Sequence, residues 1–178
     1  MSFEAEGQML TPLIALLMQA AAPPPPPPPP ACTSAEHNQF DFWVGEWEVT
    51  PTGKSTVVAN SRIEKLYGNC AVRENWMPLK GSDGGSLNNY VDGRWHQTWV
   101  DSSNSRVDFV GGLVGGKMVL VGDWKGVNGP GKDAAIRMTY SKNADGSVRQ
   151  HGEQSTDYGM TWSTNFDFTY HPKAKSKS

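Results

Sequence analysis

FDFWVGEWEV, Phe40–Val49, is the stretch on which the fold reading turns. It sets Phe40, Phe42, Trp43 and Trp47 around Gly45 in one short run, read as a strand from Trp43 to Thr50. Working outward, apolar residues alternate with polar ones, the period of a half-buried strand. Turn residues return about every 8–12 residues, the spacing of an antiparallel barrel or sandwich. Further strands are expected at Ser55–Lys65, Asn69–Met77, Gly84–Val91, Arg94–Asp101 and Ser105–Leu113. Four more follow at Lys117–Trp124, Asp133–Ser141, Ser147–Ser155 and Met160–Tyr170. Asp92-Gly93, Gly115-Gly116 and Asp145-Gly146 are strong hairpin signals between them. No helix pattern appears after Trp43. The expected fold is all-β: a single antiparallel up-and-down barrel of about 8–10 strands, which closes its own edges. A two-sheet β-sandwich is the alternative.

The barrel domain is assigned to residues 36–171, and the rest of the chain has a different composition. Residues 1–22 carry the apolar run Leu13-Ile14-Ala15-Leu16-Leu17-Met18 and end in three alanines. The run is too short for a transmembrane segment and suits a signal-peptide core. Glu4 and Glu6 and the lack of any base before Cys32 fit that reading less well, and a start at Met9 would remove both acids. A periplasmic or secreted location is expected; the alternative is a mildly apolar disordered tail. Residues 23–35 hold eight consecutive prolines, Pro23–Pro30, a stiff spacer with no flanking base for docking on a proline-binding domain. Residues 172–178 are expected to form a basic disordered tail.

All 16 Lys and Arg lie after Cys32, while two of the 18 acids precede it, so the chain from Cys32 onward, tail included, is electrically neutral. A neutral mixed surface gathers no nucleic acid. The two cysteines, Cys32 and Cys70, are too few for a zinc site without nearby histidines, and no metal site is expected. In an exported protein they suggest one disulfide, pinning the start of the domain to the third strand; in a reducing compartment they would be free thiols. Sequence is silent on oligomeric state.

The Gly45-x-Trp47 opening of a β-rich domain resembles the first strand of lipocalin-like (calycin) barrels. That resemblance implies that Gly45 lets the chain bend and Trp47 plugs the closed end. FDFWVGEWEV, GRWHQTWVD and STDYGMTW together resemble small secreted bacterial domains of uncharacterised function. STDYGMTW, Ser155–Trp162, also resembles the Asp-box hairpin of sialidases and other β-proteins. Its likeness implies structural roles for Ser155, Asp157, Gly159, Thr161 and Trp162. A single copy does not make a propeller. A ten-stranded barrel is similar to the haem-binding nitrobindin-like proteins, in which one histidine ligates iron. That likeness would make His171 the candidate ligand, and no other cofactor is expected.

A two-residue turn at Asp92-Gly93 fixes a register, with Tyr90 opposite Trp95, Asn88 opposite Gln97 and Ser86 opposite Trp99. One face then carries Ser86, Asn88, Tyr90, Trp95, Gln97, Trp99 and Asp101. Rings mixed with a few polar groups suit a pocket that stacks a ligand and orients it. The strand before adds Glu74 and Trp76. A small apolar or aromatic molecule is the expected partner, held by Tyr90, Trp95, Trp99, Gln97, Asn88, Asp101, Glu74 and Trp76. The alternative is an exterior aromatic ladder that only stabilises the hairpin. An enzyme, an isomerase or hydrolase using Asp101 or Glu74 as base, is the competing function, and a purely structural domain is the third. Asp101 ends its strand before Ser102-Ser103-Asn104 and is expected to cap that turn. The hairpin at Gly115-Gly116 is apolar on both faces, with Val110, Val119 and Val121 on one of them, and is expected to be covered on both sides or to line a cavity.

Overall fold

The computed structural model describes residues 32–174. The leader, Pro23–Pro30 and the last lysines of the tail lie outside the described residues. Ten strands follow in order, β1 (Gly45–Pro51), β2 (Ala59–Leu66), β3 (Ala71–Pro78), β4 (Gly84–Val91) and β5 (Arg94–Asp101). They continue as β6 (Arg106–Val114), β7 (Lys117–Trp124), β8 (Ala134–Lys142), β9 (Val148–Ser155) and β10 (Ser163–Pro172). Every strand pairs antiparallel with its neighbours in sequence, and β1 pairs with β10. The result is one closed up-and-down barrel, not a sandwich. At the seam Val49 lies opposite Tyr170, and Trp47 opposite Pro172.

The expected β4–β5 register holds through all three pairs. Asp92 and Gly93 both take positive φ, 52° and 77°, which is the twist a two-residue hairpin turn needs.

The opening stretch departs from its reading as a strand beginning at Trp43. Asp41–Trp43 is a 3-10 turn, and β1 begins at Gly45. Gly45 has φ 154°, and a Cβ there would sit 3.3 Å from the Trp47 indole. The chain therefore bends at Gly45 and folds back across the barrel end. Phe40 and Trp43 enter the interior and are fully buried. Phe40 stacks on Trp43 at 4.9 Å and meets Trp95 and Tyr140 edge-on, while Trp43 lies 4.8 Å from Tyr140. Trp47 is buried beside them and donates its Nε1–H to the Trp43 carbonyl at 2.9 Å. The closed end is thus filled chiefly by Phe40 and Trp43, with Trp47 bracing them.

Other ties hold this plug. Lys65 pairs with Asp41 at 2.7 Å and donates to Asn38 at 2.8 Å. Trp95 Nε1–H donates to Gln39 at 3.2 Å. Cys32 and Cys70 form a disulfide that clips the plug segment to the turn between β2 and β3.

The Gly115-Gly116 hairpin meets the second of its two expectations, lining an interior cavity through Phe109 and Trp124, and is not covered on both sides. Its inner residues, Val107, Phe109, Met118 and Leu120, are in the core. The opposite face turns outward: Val121 is 43% exposed, Val110 and Val119 are half-buried, and no other described segment lies over them. Closing the barrel leaves each strand only one protein-covered face.

The disulfide spans 38 residues, so the loop it closes in the unfolded chain is long. Replacing Cys32 and Cys70 together by serine is expected to lower unfolding free energy by about 3–4 kcal/mol. Urea denaturation followed by Trp fluorescence measures it; an unchanged midpoint would mean that the plug is held without the bridge.

Candidate functional site

The plug fills one end of the barrel, and a cavity of about 160 Å³ opens at the other. Its walls are aromatic: Trp76, Trp99, Trp124, Phe109, Phe166 and Phe168. All but Phe109 are half-buried, so they form a mouth. Its floor is polar, made of Glu74, Gln97, Tyr140, Gln150 and Tyr170 with Met138. The alternation of strands explains the layering: each inward position toward the plug is one step, two residues, deeper in the barrel.

The walls are fixed by local chemistry. Asp101 Oδ1 accepts the backbone N–H of Ser103 at 2.9 Å and of Ser105 at 3.4 Å, and the Ser103 hydroxyl at 2.5 Å. Its Oδ2 accepts the Trp99 indole N–H at 3.0 Å. Trp124 donates to Ser105 Oγ of the same turn at 2.7 Å. One turn therefore sets two wall indoles. On the far side, β10 bulges between Thr164 and Phe166, which turns Phe166, Phe168 and Tyr170 inward. Phe166 lies over Gly152, where a Cβ would sit 2.4 Å from the ring. Only a residue without a side chain lets Phe166 reach the wall.

The floor is a closed ring of hydrogen bonds. Gln97 Nε2 donates to Asn88 Oδ1 at 2.6 Å, and Asn88 Nδ2 to Ser86 Oγ at 3.1 Å. Ser86 Oγ faces Glu74 Oε2 at 3.5 Å, and Ser61 Oγ donates to Glu74 Oε1 at 2.9 Å. Tyr170 Oη lies 3.2 Å from Glu74 Oε1 and 2.7 Å from Gln150 Oε1. Gln150 Nε2 donates to Tyr140 Oη at 2.9 Å, and Gln97 Nε2 reaches the same hydroxyl at 3.5 Å.

Glu74 is 4% exposed and no Lys, Arg or His lines the cavity with it. Burial pushes its carboxyl up to about 7, against the lowering pull of the Ser61, Tyr170 and Ser86 hydroxyls. A proton count agrees. Tyr170 has one hydroxyl hydrogen and two acceptors within reach; the shorter contact, to Gln150, takes it. A neutral Glu74 can then donate its own proton to the Tyr170 oxygen. Burial, with the Glu74 charge second, raises both tyrosines, so they stay neutral.

Four of the eight expected ligand-contacting residues line the cavity: Glu74, Trp76, Gln97 and Trp99. The other four lie elsewhere. Trp95 and Tyr90 sit at the closed end, Trp95 against Phe40 and Tyr90 against His37. Asn88 is fully buried below the cavity, inside the hydrogen-bonded ring. Asp101 caps its turn, as expected. Burial works to raise its carboxyl, but Ser103, Trp99 and the turn amides hold it below the usual carboxylate range. Trp124, Phe166, Phe168, Tyr140, Gln150 and Tyr170 were not anticipated. Their signal was the inward alternation of β7 to β10, which is regular in β7 to β9 and is broken in β10 by the bulge between Thr164 and Phe166.

The remaining assigned residues are placed as follows. In the Ser155–Trp162 hairpin Asp157 accepts the Thr161 amide at 2.9 Å and its hydroxyl at 2.6 Å. Ser155 Oγ accepts the Gly159 amide at 2.8 Å, and Arg137 covers the Trp162 ring at 4.2 Å. The Thr161 hydroxyl and amide, with Ser155, hold Asp157 down at about 2. His171 is exposed on the outer face of β10, bonded to Thr50 at 3.1 Å, and so does not point into the cavity. Among the described residues no cluster of three or more His, Cys, Asp and Glu is arranged to hold a metal.

The raised carboxyl has a consequence for stability. Between the ordinary value of 4.5 and about 7, the folded state keeps a proton on Glu74 that the unfolded state releases. Its stabilising contribution is therefore complete below 4.5 and is lost as pH rises toward 7, about 3 kcal/mol in all. Glu74→Gln should lack this fall. Urea unfolding of both proteins from pH 4.5 to 8 tests it; parallel stability curves would show that Glu74 is ionised in the fold throughout.

No family model matches the chain, and no curated protein matches it.

Proposed function

We propose that the barrel binds one small, single-ring molecule at its open end, stacked on Trp76, Trp99 and Trp124 with a polar group on the Glu74 floor. The observation that carries this is the cavity itself, aromatic at the walls and polar at one end. Its size sets the class. At about 160 Å³ it is close to the ~150 Å³ void known to take up benzene, and below the ~300–1,000 Å³ of pockets for drug-sized ligands. A ring fits; a long acyl chain does not. This makes the protein a lipocalin-like carrier or sensor of compact ligands.

The reading extends to location. A Cys32–Cys70 disulfide persists in oxidising compartments. No helix among the described residues is long and apolar enough to cross a membrane. Together with the apolar leader and proline spacer, the bridge supports export to the periplasm or beyond. Protein recovered from the cell envelope should show no free thiol on titration under denaturing conditions; two free thiols would remove the support for export.

One observation favours a second reading. Glu74 is a buried carboxyl beside aromatic rings that titrates near neutrality, the profile of a general acid or base. In that case the interior would act on its ligand, as an isomerase or hydrolase. Asp101 has no part in it, because its oxygens serve the turn and Trp99.

Intrinsic fluorescence tests the binding reading. Benzyl alcohol and other single-ring probes are expected to perturb Trp emission saturably, while long-chain fatty acids do not. Trp99→Ala should weaken ring binding about tenfold, the loss typical of a central aromatic contact. Unchanged affinity in Trp99→Ala would place the ligand elsewhere or nowhere.

A further inference from the structure

The cavity joins two features that seldom meet without a ligand reason. Its walls present six aromatic side chains, and its floor holds a carboxyl with no cation to pair with. Arginines on β2, β3, β8 and β9 are already engaged with carboxylates that do not line the cavity. Arg62 and Arg73 pair with Glu64, Arg137 with Glu153, and Arg149 with Asp167. Glu74 Oε2 has only the 3.5 Å contact to Ser86, which leaves most of its acceptor capacity free. A buried carboxylate is costly unless it is paired. No cation of the described chain lines the cavity with it, so a proton neutralises the carboxyl in the empty barrel and a cation entering through the mouth could replace that proton.

From this geometry we infer that the natural ligand is a small organic cation, an aromatic or alkyl ammonium, whose charged nitrogen sits on Glu74 inside the aromatic walls. The inference rests on the binding reading above and adds the charge of the ligand to it. Ring faces carry negative potential and attract an ammonium, more strongly where water is excluded. An amide, a hydroxyl or an acid could use the Gln97 and Gln150 groups, but only a cation pairs with Glu74 once it is ionised. An anion would be repelled by ionised Glu74 and would find no base among the lining residues.

Proton balance follows directly. In the empty barrel near or below neutral pH, Glu74 carries a proton. Arrival of an ammonium displaces that proton to solvent and leaves a carboxylate–ammonium pair. The groups that face Glu74 are Ser61 of β2, Ser86 of β4, and Tyr170 of β10, with Gln97, Tyr140 and Gln150 completing the floor. Of these only the tyrosines titrate, and both are raised, so Glu74 alone accounts for the exchange. Affinity for a permanently protonated ligand should then rise about tenfold per pH unit up to about 7 and level off above it.

Three isosteric probes test the idea: benzylamine, benzyl alcohol and benzoate, titrated calorimetrically into the full-length protein at pH 5, 6, 7 and 8. Benzylamine is expected to bind at least about tenfold tighter than benzyl alcohol at pH 8, and benzoate more weakly than both. Its advantage should shrink stepwise toward pH 5. At pH 5–6 its binding should release close to one proton, read from the dependence of heat on buffer ionisation enthalpy. Glu74→Gln should lose both the preference for the amine over benzyl alcohol and its pH dependence; should that variant not fold, the wild-type pH series decides alone. If benzyl alcohol binds but benzylamine binds no better and releases no proton, the cation assignment is overturned and ring binding stands. If none of the three binds at any pH, ring binding falls with it.

Discussion

Closure of a ten-stranded barrel creates more interior than inward-pointing side chains fill, and everything else in this molecule responds to that surplus. Eight strands leave an interior about wide enough to be packed by side chains; added strands leave room over. Here the surplus at one end is taken by a segment that precedes the first strand. Phe40 and Trp43 come in from outside the sheet, stack on each other and rest on Tyr140. At the other end no described segment enters in the same way, and the walls end in half-buried rings around open space.

Between plug and cavity lies a polar layer, and its position explains its chemistry. Glu74, Gln97, Gln150 and the two tyrosines are too deep for bulk water to satisfy, so they satisfy one another in a ring that spans the barrel from β2 to β10. The carboxyl keeps spare acceptor capacity at Oε2. An amide in place of Glu74 would close the ring as well, at no electrostatic penalty. An ionisable group stands there instead, in a floor whose polar members are all at most 8% exposed.

Much of this was written legibly in local signals. Asp92-Gly93 is a strong two-residue turn signal, so the β4–β5 register and the shared face of Ser86, Asn88, Gln97 and Trp99 followed from two residues, while the choice of that face as the inner one did not. Cys32 and Cys70 were the only thiols available to each other. Depth along the strand was not legible. Alternation reports which side a residue faces, not how far it lies from the mouth, and so Tyr90 and Trp95 looked equivalent to Trp99 although they belong to opposite ends. The plug was hidden because the run Phe40–Trp43 is apolar whether it is extended or turned. The decisive residue was Gly45, whose backbone angle no hydrophobicity pattern encodes. The far wall depended on a one-residue bulge, which shifts every following side chain to the other face.

The seam between β1 and β10 also sets the order in which the chain can become whole. The plug and β1 leave the ribosome, or cross a membrane, before any other part of the domain, yet β10 is made last. The hole that receives Phe40 and Trp43 exists only after Tyr140 and Tyr170 are in place. Contacts this distant in sequence form slowly, and apolar segments waiting for them are open to misassociation. The stickiest part of the protein is therefore also the part that waits longest, and its waiting time is the time needed to deliver the nine strands that follow β1.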